Sequence, residues 1–236
     1  MELLDRGATE LGLGLTAQQL EQFEIYYREL ADWNRRVNLT AITEYWEVQI
    51  KHFLDSLSVY LAFPRGPTSC IRLVDVGAGG GFPGLPLKLA LPDIQLVLVE
   101  SVGKKTRFLD HLVMVLGLSG VDVQNGRAEQ LAHQSGLRER FHLAVSRGVA
   151  KLPTLLEYTL PFCRVGGQVA LLKRGVEEEL AGATAALDAL GGRLGDIYPV
   201  PVPGLNDGRV IVSVEKVEAT PDRYPRRPGL PAKRPL

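Results

Sequence analysis

Residues 73–84 read LVDVGAGGGFPG, and no other stretch restricts the fold of this chain as much. A hydrophobic run, Ile71 to Val76, is interrupted by Asp75. Gly77, Gly79, Gly80 and Gly81 follow, and then Leu85 to Leu91, an apolar segment of helical length. Strand, tight turn and helix start, in that order, form the opening unit of an α/β sheet. Glycines at the turn let a ligand approach the backbone closely.

The pattern after this unit repeats the theme. Strand-like runs at Gln95 to Glu100, Val121 to Gln124, His142 to Ser146 and Gln168 to Lys173 alternate with helical ones at Lys104 to Leu116, Glu129 to His133 and Pro153 to Leu160. Alternation of this kind predicts right-handed crossovers and a parallel sheet. A further helix, Val176 to Leu190, precedes Arg193 to Val200 and Arg209 to Val217, which have no helix between them and suit an antiparallel pair on one edge. The fold class is therefore α/β: a doubly wound, mostly parallel, seven-stranded sheet with a reversed last strand. Before residue 65 the spacing is helical. Thr16 and Gln19 fit a capping box ahead of Leu20, Phe23, Tyr27 and Leu30. Thr43 is placed to cap a second helix with a stripe of Trp46, Ile50, Phe53, Leu54, Leu57 and Leu61. These residues predict a helical cap over 1–65, and the turn-rich FPRGPTS separates it from a ligand-binding domain over 70–218. Residues 219–236 form a Pro/Arg-rich tail, expected to be extended.

Composition supports one large core: 236 residues, 45% of them hydrophobic. Of 27 Lys/Arg and 27 Asp/Glu, residues 1–60 hold 5 and 10, leaving 22 and 17 for the remainder, so the C-terminal portion is the basic one. Cys70 and Cys163 stand apart from any CxxC pair or His cluster, which argues against a disulfide framework or a structural metal. Acidic Glu2 and Asp5 do not suit a secretory signal. No run approaches the ~20 apolar residues of a membrane span. A soluble, cytoplasmic protein with no metal and no membrane partner is expected, and the absence of a surplus apolar stripe suggests a monomer.

The ligand class follows from the turn. A dinucleotide fingerprint would place its third glycine at Phe82, and the next residue, Pro83, lacks the N–H that a pyrophosphate needs at a helix N-terminus. A phosphate-free ligand suits the turn better. Asp75, Gly77, Gly79 and Gly81, read as D-x-G-x-G-x-G, resemble the first motif of class I (Rossmann-like) S-adenosylmethionine methyltransferases. Asp75 would then attract the methionine ammonium, or else only bond turn amides. Glu100, at the end of the second strand, is placed to accept hydrogen bonds from both ribose hydroxyls, although nicotinamide enzymes use the same device. Ala128 and Glu129 are placed to meet the adenine edge; helix capping by Glu129 is the alternative.

The methyl acceptor is constrained by what is absent. Ser146-Arg147-Gly148 replaces the Asn/Asp-Pro-Pro-aromatic turn common in exocyclic-amine methylation, and neither cysteine lies at a catalytic tip. A ring nitrogen with a free lone pair needs no general base, only in-line placement within ~3 to 3.5 Å. Arg147 is the candidate catalytic residue, able to bind the methionine carboxylate or a guanine O6 edge, with a surface arginine as the alternative. His52 reads as a satisfied core or helix-end histidine rather than a catalyst.

Taken together, WNRRVNLTAIT (Trp33 to Thr43), HFLDSL (His52 to Leu57), VDVGAGGGFPGLPLKLA (Val74 to Ala90), GRAEQL, SRGVA (Ser146 to Ala150) and the tail YPRRPGLPAKRPL resemble one family. It is that of the bacterial small-subunit rRNA guanine-N7 methyltransferases, also known as glucose-inhibited division protein B. The resemblance spans nearly the whole chain. It implies transfer from S-adenosylmethionine to N7 of one guanine in a hairpin loop of 16S rRNA near the decoding site, on naked rRNA or an assembling small subunit. It also implies cofactor contacts at Gly77, Phe82, Glu100, Ser101, Val102, Ala128, Glu129 and Arg147. RNA phosphates would meet basic groups near the site, with Lys173, Arg226 and Arg227 foremost. Arg35, Arg36, Lys104, Lys105, Arg107, Arg174, Arg223, Lys233 and Arg234 are further candidates. Deleting the tail is expected to weaken RNA binding and spare cofactor affinity. The sequence leaves two other readings open: a nicotinamide-dependent oxidoreductase, and a non-catalytic S-adenosylmethionine-binding module.

Overall fold

The computed structural model describes residues 1–63, 71–148, 150–200, 202 and 207–236. Most of the expected linker FPRGPTS, together with Cys70 and Val149 of SRGVA, lies outside the described residues. Helices α1 (Glu2–Glu10) and α2 (Ala17–Val37) come first. The short α3 (Tyr45–Val48) runs through a π-helical stretch, Gln49–Leu54, into α4 (Asp55–Leu57) and a 3-10 turn, Ser58–Ala62. The sheet region then alternates: β1 (Arg72–Val76), α5 (Gly84–Ala90), β2 (Gln95–Glu100), α6 (Gly103–Val115), β3 (Val121–Asn125), α7 (Ala128–Leu131), β4 (Phe141–Arg147), α8 (Leu152–Thr159) and β5 (Cys163–Arg174). It closes with α9 (Glu177–Ala181), α10 (Thr184–Leu190), β6 (Gly192–Pro199), β7 (Arg209–Lys216) and α11 (Leu230–Lys233).

The seven strands lie in the order β3-β2-β1-β4-β5-β7-β6. Strands β1 to β5 pair in parallel, and β7 inserts antiparallel to both β5 and β6. Both faces are covered, so the inner strands are hydrophobic throughout rather than alternating. Successive residues feed opposite layers. Leu73, Leu96, Leu98 and Leu143 join Phe23, Phe53, Leu85 and Phe108 on one face. Val74, Val97, Val99 and Ala144 join Leu131, Leu155, Leu156 and Leu187 on the other. The N-terminal helices thus share a core with α5 and α6 on the first face.

The capping box at Thr16 and Gln19 forms as the sequence predicts, with both reciprocal hydrogen bonds. Gln19 Nε2 also donates to Leu89 O at 2.7 Å, tying the start of α2 to the end of α5. Four expectations need correction. Helix α3 begins at Tyr45 with Glu44, not Thr43, at its N-cap and no side-chain cap. Trp46 is 53% exposed, because the π-helical stretch rotates the stripe so that Val48, Phe53, Leu54 and Leu57 face inward. The single helix expected over Val176 to Leu190 is two, α9 and α10, with Gly182 at the break. The tail, expected to be extended, carries the short helix α11 and packs back on the sheet domain: Tyr224 and Pro231 are buried, and Arg138 donates to Thr220 O and Tyr224 O.

Candidate cofactor and acceptor site

Strand order reverses between β1 and β4, and a ligand crevice opens beyond the carboxyl ends of the strands at such a point. A cavity of about 590 Å³ lies there, walled by the β1–α5 turn, the ends of β2 and β4, the start of α7, and His52. Gly77, Gly79 and Gly81 take φ values of 80°, 58° and 96°, in the left-handed region that favours glycine. At Gly81 a Cβ would also lie 2.5 Å from the Tyr26 hydroxyl oxygen.

The donors that a phosphate would need are already engaged. Phe82 N–H donates to Ala78 O, and Leu85 N–H to Gly81 O. Gly84 N–H donates to Asp75 Oδ2 at 2.8 Å, and Pro83 has none to give. The turn therefore offers close backbone approach without an anion site.

Asp75 is fully buried and is not among the cavity-lining residues. Its Oδ1 has no hydrogen-bond partner among the described residues, and burial pushes its carboxyl up to about 7 against the opposing pull of Gly84 N–H and Arg147. It braces the turn from behind and does not reach the position expected of an ammonium partner. Glu100 does reach the cavity: Oε2 accepts from Gly79 N–H at 2.9 Å and Oε1 from Val102 N–H at 2.8 Å. Those bonds fix the carboxylate and leave lone pairs toward the cavity. Ser101 lines the cavity, whereas Val102 is 45% exposed and serves through its backbone. Ala128 and Glu129 line the wall at the start of α7, where Glu129 Oε1 accepts from Gly229 N–H at 2.9 Å.

Phe82 forms the floor of the β4 side. It stacks on Tyr26 at 5.4 Å and 4° between planes, and on His52 at 4.4 Å and 22°; the Arg147 guanidinium lies 4.8 Å from its centroid. Arg147 Nη1 donates to Asp55 Oδ2 at 3.0 Å and to Lys51 O at 3.1 Å, and Nη2 donates to His52 Nδ1 at 3.1 Å. Nε–H and the second Nη2–H have no partner among the described residues, and the side chain borders the cavity. His52 Nδ1 also lies 3.1 Å from Lys51 O, but an arginine donor beside it requires the lone pair there. Nε2 then carries the proton and donates to Thr40 Oγ1 at 2.8 Å. Burial, reinforced by Arg147, pushes the imidazole down to about 3, so it is neutral.

The structure thus gathers Gly77, Gly79, Phe82, Glu100, Ser101, Ala128, Glu129 and Arg147 around one cavity. It adds residues that the sequence does not single out for the site, Thr40, His52 and Tyr158, and it brings Lys105, one of the basic candidates, to the cavity wall. The signal for His52 and Asp55 is their i, i+3 spacing within an apolar stripe, since a polar pair on a buried face needs partners. Of the three foremost RNA cations, two are otherwise engaged. Lys173 pairs with Glu179 at 2.7 Å and donates to Ala150 O, leaving its side chain 10% exposed. Arg226 grips the buried Glu157 through its backbone N–H and its guanidinium. Arg227 is exposed and has no ion-pair partner among the described residues.

A sheet in this order with a glycine turn at its switch point defines the architecture of class I methyltransferases. A solved structure of M. jannaschii TYW2 in complex with AdoMet shares that fold, with a TM-score of 0.53 at 16% identity, covering 68% of this chain and 74% of that one. The model of the GidB family, rRNA small subunit methyltransferase G, matches residues 19–197. Over the full length of both chains, this protein is 52% identical to the ribosomal RNA small subunit methyltransferase G of Dehalococcoides mccartyi (strain CBDB1), and 46% identical to that of Roseiflexus castenholzii. The chain belongs to the GidB family.

Proposed function

We propose that this protein transfers the methyl group of S-adenosylmethionine to N7 of a guanine in the decoding-region hairpin loop of 16S rRNA. It acts as a cytoplasmic monomer on naked rRNA or on the assembling small subunit. Family membership supports the rRNA substrate, and the cavity supports the chemistry. The observation that carries N7 is the lack of a free base among the described lining residues. His52 has both nitrogens engaged and is neutral. Glu100 and Glu129 are held by backbone N–H groups. Burial and the neighbouring Glu129 raise the Tyr158 pKa, so that group keeps its proton. An acceptor that must lose a proton would be stranded here, whereas N7 brings its own lone pair.

S-adenosylmethionine, when bound, supplies a sulfonium methyl electrophile. Glu100 accepts from the ribose hydroxyls, and Gly77 and Gly79 allow the ligand to lie against the backbone. Ala128 and Glu129 face the adenine edge. Arg147 presents two N–H groups without a partner among the described residues at the β4 end, for the methionine carboxylate or guanine O6. Acceleration comes from placement, since the reacting pair needs only in-line approach. The engaged N–H groups at the start of α5 disfavour a nicotinamide dinucleotide.

The test is transfer of a labelled methyl group from S-adenosylmethionine to 16S rRNA, comparing naked rRNA with small subunits from cells lacking this protein. Label in either substrate supports the reading. Cofactor binding without label in either would point to a non-catalytic module.

A further inference from the structure

The tail crosses the wall of the site. Arg226 donates through its backbone N–H, Nε and Nη2 to Glu157, at 2.8, 2.9 and 2.6 Å, and Glu157 is fully buried in α8. Three residues later Gly229, at φ 80°, turns its N–H onto Glu129 Oε1. Thr154 Oγ1 then donates to Pro231 O at 3.1 Å, and Ala232 lines the cavity beside Glu129 and Tyr158. Before this segment, His133 Nε2 lies 2.9 Å from Pro225 O. Residues some 70 to 100 positions apart in sequence are thus tied at several points, and the last tie reaches the ligand space.

The geometry points to the C-terminal tail as a built-in wall of the cofactor pocket, latched by Arg226 on Glu157, which positions Glu129 through Gly229 and covers the adenine end with Ala232. This assignment rests on the cofactor reading above. A buried carboxylate without its counter-charge is strongly unfavourable, so the latch holds as long as Arg226 is present. Arg226 and Gly229 are positioning residues: they act through Glu129 and the wall, not on the reacting atoms. A tail that serves RNA alone, as its composition suggests, is thereby replaced by one with two faces. The inner face belongs to the cofactor site, and Arg227, Lys233 and Arg234 point outward, exposed.

A ligand that binds only the closed pocket must slow local opening of any segment that walls it. Amide hydrogen exchange of the full chain, with and without S-adenosylhomocysteine, reads this directly. The amides of Arg226, Arg227, Gly229 and Ala232 are expected to exchange at least tenfold more slowly with ligand. Slowing confined to the glycine turn, with the tail unchanged, would overturn the tail assignment and leave the cofactor reading intact. No slowing anywhere, and no binding, would sink both. In a second measurement, Ala232→Trp narrows the cavity without touching the latch. It should weaken binding of S-adenosylhomocysteine at least tenfold, with the melting temperature of the unliganded chain unchanged; an unaltered affinity contradicts the assignment.

Discussion

Arg147 and Asp55 meet at 3.0 Å although 92 residues separate them, and the contact joins the tip of β4 to the helix that follows the π-helical stretch. Asp55 also receives Arg209 at 2.7 Å, from the start of β7, with its own side chain only 3% exposed. One buried carboxylate therefore holds two arginines from different parts of the sheet, and one of them, Arg147, borders the cavity.

Asp55→Ala leaves both arginines without their shared counter-charge. We expect a loss of about 3–5 kcal/mol in urea denaturation, the scale for removing one partner of a buried ion pair. Arg147→Ala leaves Asp55 paired with Arg209, so its stability loss should be much smaller. Its methyl-transfer rate should nonetheless fall on the order of 100-fold, as for loss of a preorganised donor. Equal effects of the two variants on stability and rate would contradict this division.

His52 makes acid stability a readout of the same network. Its folded pKa, about 3, lies below the ordinary histidine value of 6.5. The unfolded chain thus binds the proton more readily, and the stability this histidine contributes is full above pH 6.5 and is lost as pH falls toward 3. The slope approaches about 1.4 kcal/mol per pH unit within that window. His52→Gln should flatten the stability profile between pH 6 and pH 4, measured by denaturant unfolding at each pH. An unchanged slope would show that the imidazole is not held neutral.

Asp75 has the opposite sign. Its carboxyl rises from 3.8 to about 7 in the fold, so its contribution is full below pH 3.8 and is lost as pH climbs through 7. Asp75→Asn keeps an acceptor for Gly84 N–H and removes the charge. Relative to the parent, the variant should gain stability from pH 4 to about pH 7 and level off above it. A difference that does not vary with pH would mean that the carboxylate is already ionised at low pH.

Much of the fold and the site is legible locally. Strand β2 falls at Gln95–Glu100 as the apolar run indicates, and the Thr16–Gln19 box is a four-residue signal. The glycine turn declares its ligand class through Phe82 and Pro83. What is not legible depends on distant pairing. The fates of Arg226 and Lys173 turn on Glu157 and Glu179, and nothing in a run of cations says which member has an acid across the fold. Trp46 departs from its expected place because a π-helical stretch breaks the 3.6-residue phase on which stripe reading relies; Thr43 is not the cap because the helix begins two residues later, at Tyr45. Helix α1 escapes the pattern, its buried stripe being only Leu4, Gly7 and Ala8.

The outward tail cations give a separate prediction. Arg227→Gln, Lys233→Gln and Arg234→Gln together should weaken binding to the 16S hairpin. They should also make its dependence on salt shallower, by about 0.7 in log–log slope for each single-strand phosphate no longer neutralised. Affinity for S-adenosylhomocysteine should hold. A parallel fall in both affinities would mean that the two faces of the tail are not separable.

Guanine-N7 transfer that depends on Arg147 is tested most directly by N7-methylguanine-specific strand cleavage of 16S rRNA from cells that lack this protein and are complemented with the parent or with Arg147→Ala. One cleavage in the decoding-region hairpin loop is expected with the parent, and its disappearance or strong reduction with the variant. Absence of that cleavage with the parent, or its presence at equal strength in uncomplemented cells, would contradict N7 transfer by this protein.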